Sequence, residues 1–406
     1  MNNVRMLSFL GSRAASALGD QFLMFAVPLI VYHSTGSATM SGLAFLCEWL
    51  PRVISLPLAG TFSDRLGGRR VYALADGTRA GACLLAALGL SMWPGHSFAM
   101  AAILMAICAA CYAQAFIALE STVPMLVPPE QMPKAQSILQ AIDYSAGVLG
   151  PALAGALSLW LAPSQLLWAA CGVFAVSAAG VCTLPPMPLR AAASQPSERR
   201  PLFLDSLQHG FATLRQAPVL LALVALSMLV NLVVGLALST SAAVTVGVFG
   251  KTDQVYATLQ AFMGMLSIAS FLLVPWLLRR ASVYQLGMAA FALIISGGVL
   301  MGLASHYSIF VLGYALSFGL CGLFNVFIRT ERLHWIPKEK LGRVISVIVL
   351  LNQLSLPLSG LLVTLLANRI PLQWLFIGAA LLAFGLWMPL QAYIRPRAVT
   401  AQPSLA

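Results

Sequence analysis

Twelve stretches of the chain are apolar over the length of a bilayer-crossing helix, at about residues 9–32, 39–62, 71–92, 98–119, 135–160, 165–184, 217–247, 255–277, 283–303, 307–328, 343–366 and 372–394. Polar residues gather in the joints between them, and none of the stretches shows the alternation expected of a barrel strand. The pattern predicts an all-α membrane protein of twelve transmembrane helices. The seventh stretch is long enough to tilt or protrude. The first is too long for a signal-peptide core and has no small-residue cleavage site, so it is expected to be a retained helix.

Composition agrees. With 60% hydrophobic and only 9% charged residues over 406 positions, and a mean hydropathy of +0.88, an ordinary soluble protein is excluded. A net charge of +11 would point to nucleic acid in a soluble chain, but its placement gives a better reading. If the N-terminus is inside, nineteen of the 23 Lys and Arg fall in segments and helix ends on that side, and Lys251 and Arg369 on the other. Arg52 and Arg79 fall within spans. The asymmetry places both termini in the cytoplasm, and no nucleic-acid partner is expected; the expected location is a bacterial inner membrane. The seven cysteines lie in apolar runs, where Cys acts as a small hydrophobe. Cys108 and Cys111 form a C-x-x-C without nearby His or further Cys, so packing is expected and no metal site.

Residues 185–216 are the one long polar connection. Its first part, rich in Pro, Ser and Arg, reads as a flexible linker. Its second places Phe203, Leu207, Phe211 and Leu214 at i, i+4, i+8 and i+11, an amphipathic helix on the cytoplasmic membrane surface. The expected organisation is an N-terminal six-helix half (1–184), this linker (185–216) and a C-terminal six-helix half (217–406). A weak repeat relates the halves. Segments 127–143 and 336–352 align at one offset of 209, pairing Pro128 with Pro337, Glu130 with Glu339, Lys134 with Arg343, Ser137 with Ser346 and Asp143 with Asn352.

The joint after the second run, AGTFSDRLGGRRV (59–71), is dense with charge and glycine. Gly60 lets two helices approach closely, and Gly67 and Gly68 permit the positive φ angles of a tight reversal. Asp64 can accept hydrogen bonds at a neighbouring helix N-terminus. Arg65, Arg69 and Arg70 can pair with carboxylates at helix ends, with Asp76, Glu120 and Glu130 as candidates. This joint resembles the signature G-x-L-a-D-R-x-G-R-K/R of the major facilitator superfamily, with Phe62 in place of the usual Leu and Gly68 where a basic residue is common. The resemblance implies two six-helix pseudo-repeats that rock about a site at the midplane. It also places Asp64 against the start of span 11, near Gly342, and makes the loop a latch that holds the cytoplasmic side shut in one state. Asp76 and Arg79, three apart, are assigned to the same latch. A positive-inside anchor would explain the arginines but leave Asp64 and the glycines without a role.

In span 5, SAGVLGPALAG (145–155) carries Gly147, Gly150, Pro151 and Gly155. Small residues one turn apart permit close packing, and Pro151 removes a backbone hydrogen bond. The segment is similar in part to the superfamily's G-x-x-x-G-P-x-x-G-G antiporter motif, which implies export. Generic small-residue packing is the other reading.

Ionisable groups inside a span cost a few kcal/mol and are functional candidates by default. Asp20 and Glu48 lie near the middle of spans 1 and 2, and Arg52 follows Glu48 at i+4 on the same helix face. If Glu48 pairs with Arg52, Asp20 is the better proton carrier; if Arg52 reaches Asp20 instead, Glu48 takes that role. Asp143 in span 5 is read equally as a helix-packing residue. In the second half the polar groups available to substrate are Asn231, Asn325, Asn352, Gln353 and Gln260. Trp160, Trp168, Trp276 and Trp374 fall near span ends, as an interfacial belt would.

The whole chain resembles the compact branch of the superfamily that includes macrolide efflux pumps and the enterobactin exporter. ALGDQFLMFAVPL in span 1, CEWLPRVISLPLAG in span 2 and GRVIS at 342–346 carry the likeness. It implies export of a small amphipathic molecule, a siderophore, metallophore or macrolide-like drug, in exchange for protons. The energy source is the proton gradient with no cofactor, and the expected partners are the small-molecule substrate and membrane lipid, in a monomer. An importer or a (lyso)lipid flippase on the same fold is the alternative. A membrane enzyme is not expected, since no nucleophile with a base, HExxH or phosphate-cradling glycine loop is present.

Overall fold

Capping residues and glycines mark where the helices begin and end. The computed structural model describes residues 3–127, 132–184, 210–336 and 341–398. Its α-helices are α1 (Asn3–Thr35), α2 (Ala38–Leu66), α3 (Gly68–Met92), α4 (Ser97–Leu126), α5 (Met132–Leu157), α6 (Leu166–Cys182), α7 (Pro218–Ala242), α8 (Asp253–Leu277), α9 (Val283–Gly302), α10 (Tyr307–Gly319), α11 (Cys321–Trp335), α12 (Leu341–Leu366) and α13 (Leu372–Ala398). No strand occurs among the described residues. Ser37 accepts the Met40 amide at the start of α2, and Ser282 with Gln285 closes a capping box on α9. Gly67 turns the chain from α2 into α3 at φ 83° and ψ 139°, a conformation that a Cβ disfavours. Gly68, in contrast to the sequence reading, is not a positive-φ residue; it opens α3.

Every predicted span is helical. Among the described residues, nine helices are long and apolar enough to cross a membrane, and α6 is a shorter apolar helix. Helices α2 and α5 occupy the two remaining predicted spans. Three boundaries differ informatively from the hydropathy pattern. Helix α1 begins at Asn3, so Arg13 lies well inside it. The seventh span ends not by protruding as α-helix but in a π-helical turn, Ala243–Val248, closed by the Phe249 amide on the Val244 carbonyl at 3.0 Å. The tenth is broken at Leu320 into α10 and α11. Exposed side chains such as Leu85, Ile103, Leu272 and Met388 supply the apolar exterior that a bilayer requires.

The helices form two compact units, Met1–Gln195 with Ser241–Gly264, and Pro196–Thr240 with Met265–Ala406. The division departs from the boundary expected at residue 216. The end of α7, its π turn and the first half of α8 belong with the first unit, where Tyr256 and Ala257 join its core and Tyr256 stacks on Phe25 at 5.5 Å. In the second unit, α9 is closely approached from two sides. A methyl group at Gly297 would meet the Gly313 carbonyl of α10 at 2.5 Å, and one at Gly302 would meet the Gln373 carbonyl of α13 at 2.7 Å. Of the expected linker helix, residues 210–215 are helical, with Phe211 exposed but Leu214 buried. Leu214 thus packs into protein, while Phe203 and Leu207 lie outside the described residues.

Candidate functional site

Helix α3 buries one stripe, Val71, Tyr72, Ala75, Asp76, Arg79, Ala80, Cys83, Ala86, Ala87 and Leu90, at the three- and four-residue spacing of a helix face. Two of those positions are charged. Arg79 is 1% exposed and Asp76 0%, about 16 Å along α3 for Arg79 at the usual rise. Above and below them the stripe is apolar. Val71, Tyr72 and Ala75 belong to one core cluster, and Ala80, Cys83, Ala86 and Ala87 to another. The pair is therefore sealed between apolar layers, where an unpaired charge would be costly.

It is paired. Arg79 forms an ion pair with Asp20 of α1 and donates through Nη1 to Asp76 Oδ1 at 2.8 Å. The Ser16 hydroxyl of α1 accepts a bond from Arg79 at 3.2 Å and donates to Asp76 Oδ1 at 3.3 Å. Ser177 of α6 donates to Asp76 Oδ2 at 2.6 Å. The guanidinium lies 4.1 Å from the Phe174 ring centroid, and Gly19 leaves room for that ring, because a Cβ there would meet it at 2.7 Å. One guanidinium thus bridges two carboxylates on different helices.

This arrangement places Asp76 and Arg79, read from the sequence as part of the loop's latch, in a buried cluster with α1 and α6. It also resolves the alternatives left for Asp20: its partner is Arg79, and Arg52 stays with Glu48. Asp20, Ser16 and Arg13 stand at i, i−4 and i−7 on one face of α1, a pattern that the sequence offered. Arg13 is buried as well, and pairs with Asp143 of α5 at 2.6 Å. It is not the free helix-end charge that the hydropathy count made it.

Glu48 and Arg52 share a face of α2, with 3.9 Å between Oε1 and Nη2. Arg52 is stacked between two rings, 4.4 Å from the centroid of Trp49 and 4.0 Å from that of Tyr112 on α4. The ring of the α4 tyrosine also lies 6.0 Å from the Arg79 centre. The two charged groups are therefore neighbours through one aromatic ring. In the second unit, the Asn231 amide of α7 donates to the Asn352 carbonyl of α12 at 3.1 Å. Gln260 donates to the Tyr256 hydroxyl at 3.3 Å, and Asn325 is exposed.

In the loop, the described partners of Arg69 are backbone carbonyls. It donates to the Cys182 carbonyl at 2.6 Å and the Val181 carbonyl at 3.3 Å, capping the C-terminus of α6. Arg65 and Arg70 are exposed. The side chains of Asp64, Glu120, Lys134 and Arg343, the position of Gly60 in its packing, and Glu130 lie outside the described residues. In the span 5 motif, a methyl at Gly150 would overlap Gln21 of α1, and one at Gly155 would overlap Ala257 of α8. Gly147 offers its carbonyl to the close approach of Gly264, and Pro151 lies inside α5.

A bundle of bilayer-length helices that buries carboxylates and guanidiniums at mid-span has the build of a membrane transporter. The chain belongs to the Major Facilitator Superfamily, which its residues 9–330 match. It is 26% identical over 427 residues to macrolide efflux protein A of Streptococcus pyogenes, with 94% of this chain and 95% of that protein covered. It is 28% identical over 158 residues to the lysophospholipid transporter LplT of Yersinia enterocolitica, covering 38% of this chain and 36% of that one. The crystal structure of the nucleoside transporter NupG is similar with a TM-score of 0.77 at 13% identity, over 97% of this chain and 99% of NupG, a likeness of fold.

Proposed function

We propose that the protein exports a small amphipathic molecule, a siderophore, metallophore or macrolide-like drug, by proton antiport with alternating access. The Asp20–Arg79–Asp76 bridge is the observation that carries this reading. While Asp20 is ionised, Arg79 of α3 is tied to α1 through it, and Asp76, one turn away on α3 itself, holds the guanidinium from the other carboxylate. A proton on Asp20 cancels one of the two attractions and leaves Arg79 to Asp76, which keeps its bonds to Ser16 and Ser177. The α1–α3 tie then weakens, and a bistable contact is biased by a single proton. Asp20 is 16% exposed at its side chain where Asp76 is 0%, so Asp20 is the member that a proton reaches. Export is supported by the likeness to macrolide efflux protein A along 94% of the chain.

The test is transport into proteoliposomes carrying an internal pH-sensitive dye. With a proton gradient imposed, candidate siderophores and macrolides are screened for substrate-induced proton movement, comparing wild type with Asp20→Asn. Proton movement elicited by one substrate class and lost in the variant is expected. Transport that ignores the gradient and survives the substitution overturns antiport, and movement of lysophospholipid under those conditions would put the protein with lipid flippases instead.

A further inference from the structure

The cluster around Arg52 is left over by the proton bridge, and its chemistry is unsatisfied. Glu48 is 6% exposed, yet its Oε1 has no hydrogen-bond partner among the described residues. The nearest guanidinium nitrogen, at 3.9 Å, attracts it without bonding to it. A buried carboxylate oxygen without a donor is expensive, and in native proteins such atoms mark strain, function or a bound water or ion. The two rings beside it, Trp49 and Tyr112, present their faces to a single positive centre at 4.4 and 4.0 Å. Two aromatic faces and one carboxylate converging on a point are a receptor for a cation. Here the point is filled by the chain itself.

We propose that Glu48, Trp49 and Tyr112 form the recognition site for an organic cation, an ammonium or guanidinium head on an apolar body, and that Arg52 is the resident group it displaces. This deepens the export reading by naming a substrate class, and it rests on that reading for transport but not for binding. Arg52 suits the part of a stand-in. Its Cζ is held by ring faces, its Nε has no hydrogen-bond partner among the described residues, and its long stem can swing the head away while Glu48 stays on its own turn of α2. The incoming cation takes over both ring faces and supplies the donor that Glu48 Oε1 lacks.

The experiment measures binding of radiolabelled 4-phenylbutylammonium to the purified full-length protein by equilibrium dialysis, without a gradient. 4-Phenylbutanoate, of similar shape and opposite charge, is the control. Saturable binding of the cation, at least about tenfold tighter than that of the anion, is expected. Glu48→Gln is expected to weaken it about tenfold, and Arg52→Gln, which empties the cage, to strengthen it about tenfold. Tyr112→Phe keeps the ring face and the affinity, while Tyr112→Leu loses it. Each variant is first checked for a monodisperse, cooperatively melting protein. Stronger binding of 4-phenylbutanoate, or weaker cation binding in Arg52→Gln than in wild type, overturns the proposal and makes Arg52 an anion-binding residue. Proton antiport of a neutral or anionic substrate by a protein that fails the dialysis test would remove the cation site and leave the export reading standing.

Discussion

Arg13 and Asp143 stand 2.6 Å apart and tie α1 to α5. Asp143 aligns with Asn352 in the sequence repeat, and Asn352 also bonds to the first helix of its half, through Asn231 at 3.1 Å. The same helix pair is thus joined at the aligned residue in each half, through the Asp143 side chain in one and the Asn352 backbone carbonyl in the other. Arg13 is buried while Asp143 is partly exposed, 7% against 35% at the side chains, so the loss is asymmetric. Asp143→Leu strands a buried guanidinium and is expected to cost about 3 kcal/mol. Arg13→Leu leaves a carboxylate that still reaches solvent and costs less. The double leucine variant recovers part of the loss, with a coupling of about 1–3 kcal/mol in a double-mutant cycle read from unfolding in detergent. Additive losses would mean that the ion pair contributes no coupling.

Arg79 meets Asp20 and Asp76 with one planar group, which a lysine cannot imitate. Arg79→Lys is expected to fold with lowered stability and to lose gradient-coupled transport, because a single ammonium serves only one carboxylate well. Arg79→Leu leaves two carboxylates in an apolar layer and is expected to give little folded protein. Adding Asp20→Asn to Arg79→Gln removes one positive and one negative charge together, and recovers melting temperature but not transport. If Arg79→Lys transports normally with an intact gradient dependence, the shared bridge has no part in coupling.

Much of this was legible in the chain. Bilayer-length apolar runs give the helices because lipid offers the backbone no partner, so hydropathy alone locates the spans. The carboxylates Asp20 and Glu48 stood out for the same reason. What the runs conceal is which face a charge takes. Arg79 was assigned with Asp76 to the loop's latch because nothing in a linear pattern says that α3 turns this stripe toward α1 and α6. The stripe from Val71 to Leu90 and the spacing of Arg13, Ser16 and Asp20 held that information, once read as faces instead of runs. The cage around Arg52 was half visible, in the i+4 spacing to Glu48. Its other wall, Tyr112, comes from α4 and needed the fold.

The reversal between α2 and α3 separates two adjacent glycines by sign. Gly67 sits at φ 83° and ψ 139°, so Gly67→Ala is expected to cost about 1–3 kcal/mol. Gly68 begins α3 with no positive φ, and Gly68→Ala is expected to be neutral or to stabilise by up to about 1 kcal/mol. Thermal unfolding of the two variants in detergent separates the conformational role from a general need for small residues in the loop. Equal losses would favour the latter.

The glycines of α5 are distinguished in the same way by what faces them. A methyl on Gly155 overlaps the methyl of Ala257, whereas one on Gly147 meets nothing within 4 Å. Gly155→Ala is therefore expected to destabilise by about 1–3 kcal/mol through overpacking, and Ala257→Gly in the same chain to restore most of the loss by returning the space. Gly147→Ala, free of overlap at its own Cβ, gains helix propensity of about 1 kcal/mol and should melt no lower than wild type. Unfolding temperatures of the three variants decide between a specific crossing of α5 with the first half of α8 and indifferent small-residue packing. A Gly155→Ala protein as stable as wild type, or one that Ala257→Gly fails to rescue, would show that the two helices can part at this point without loss. The close approach at Gly155 would then be incidental to the fold.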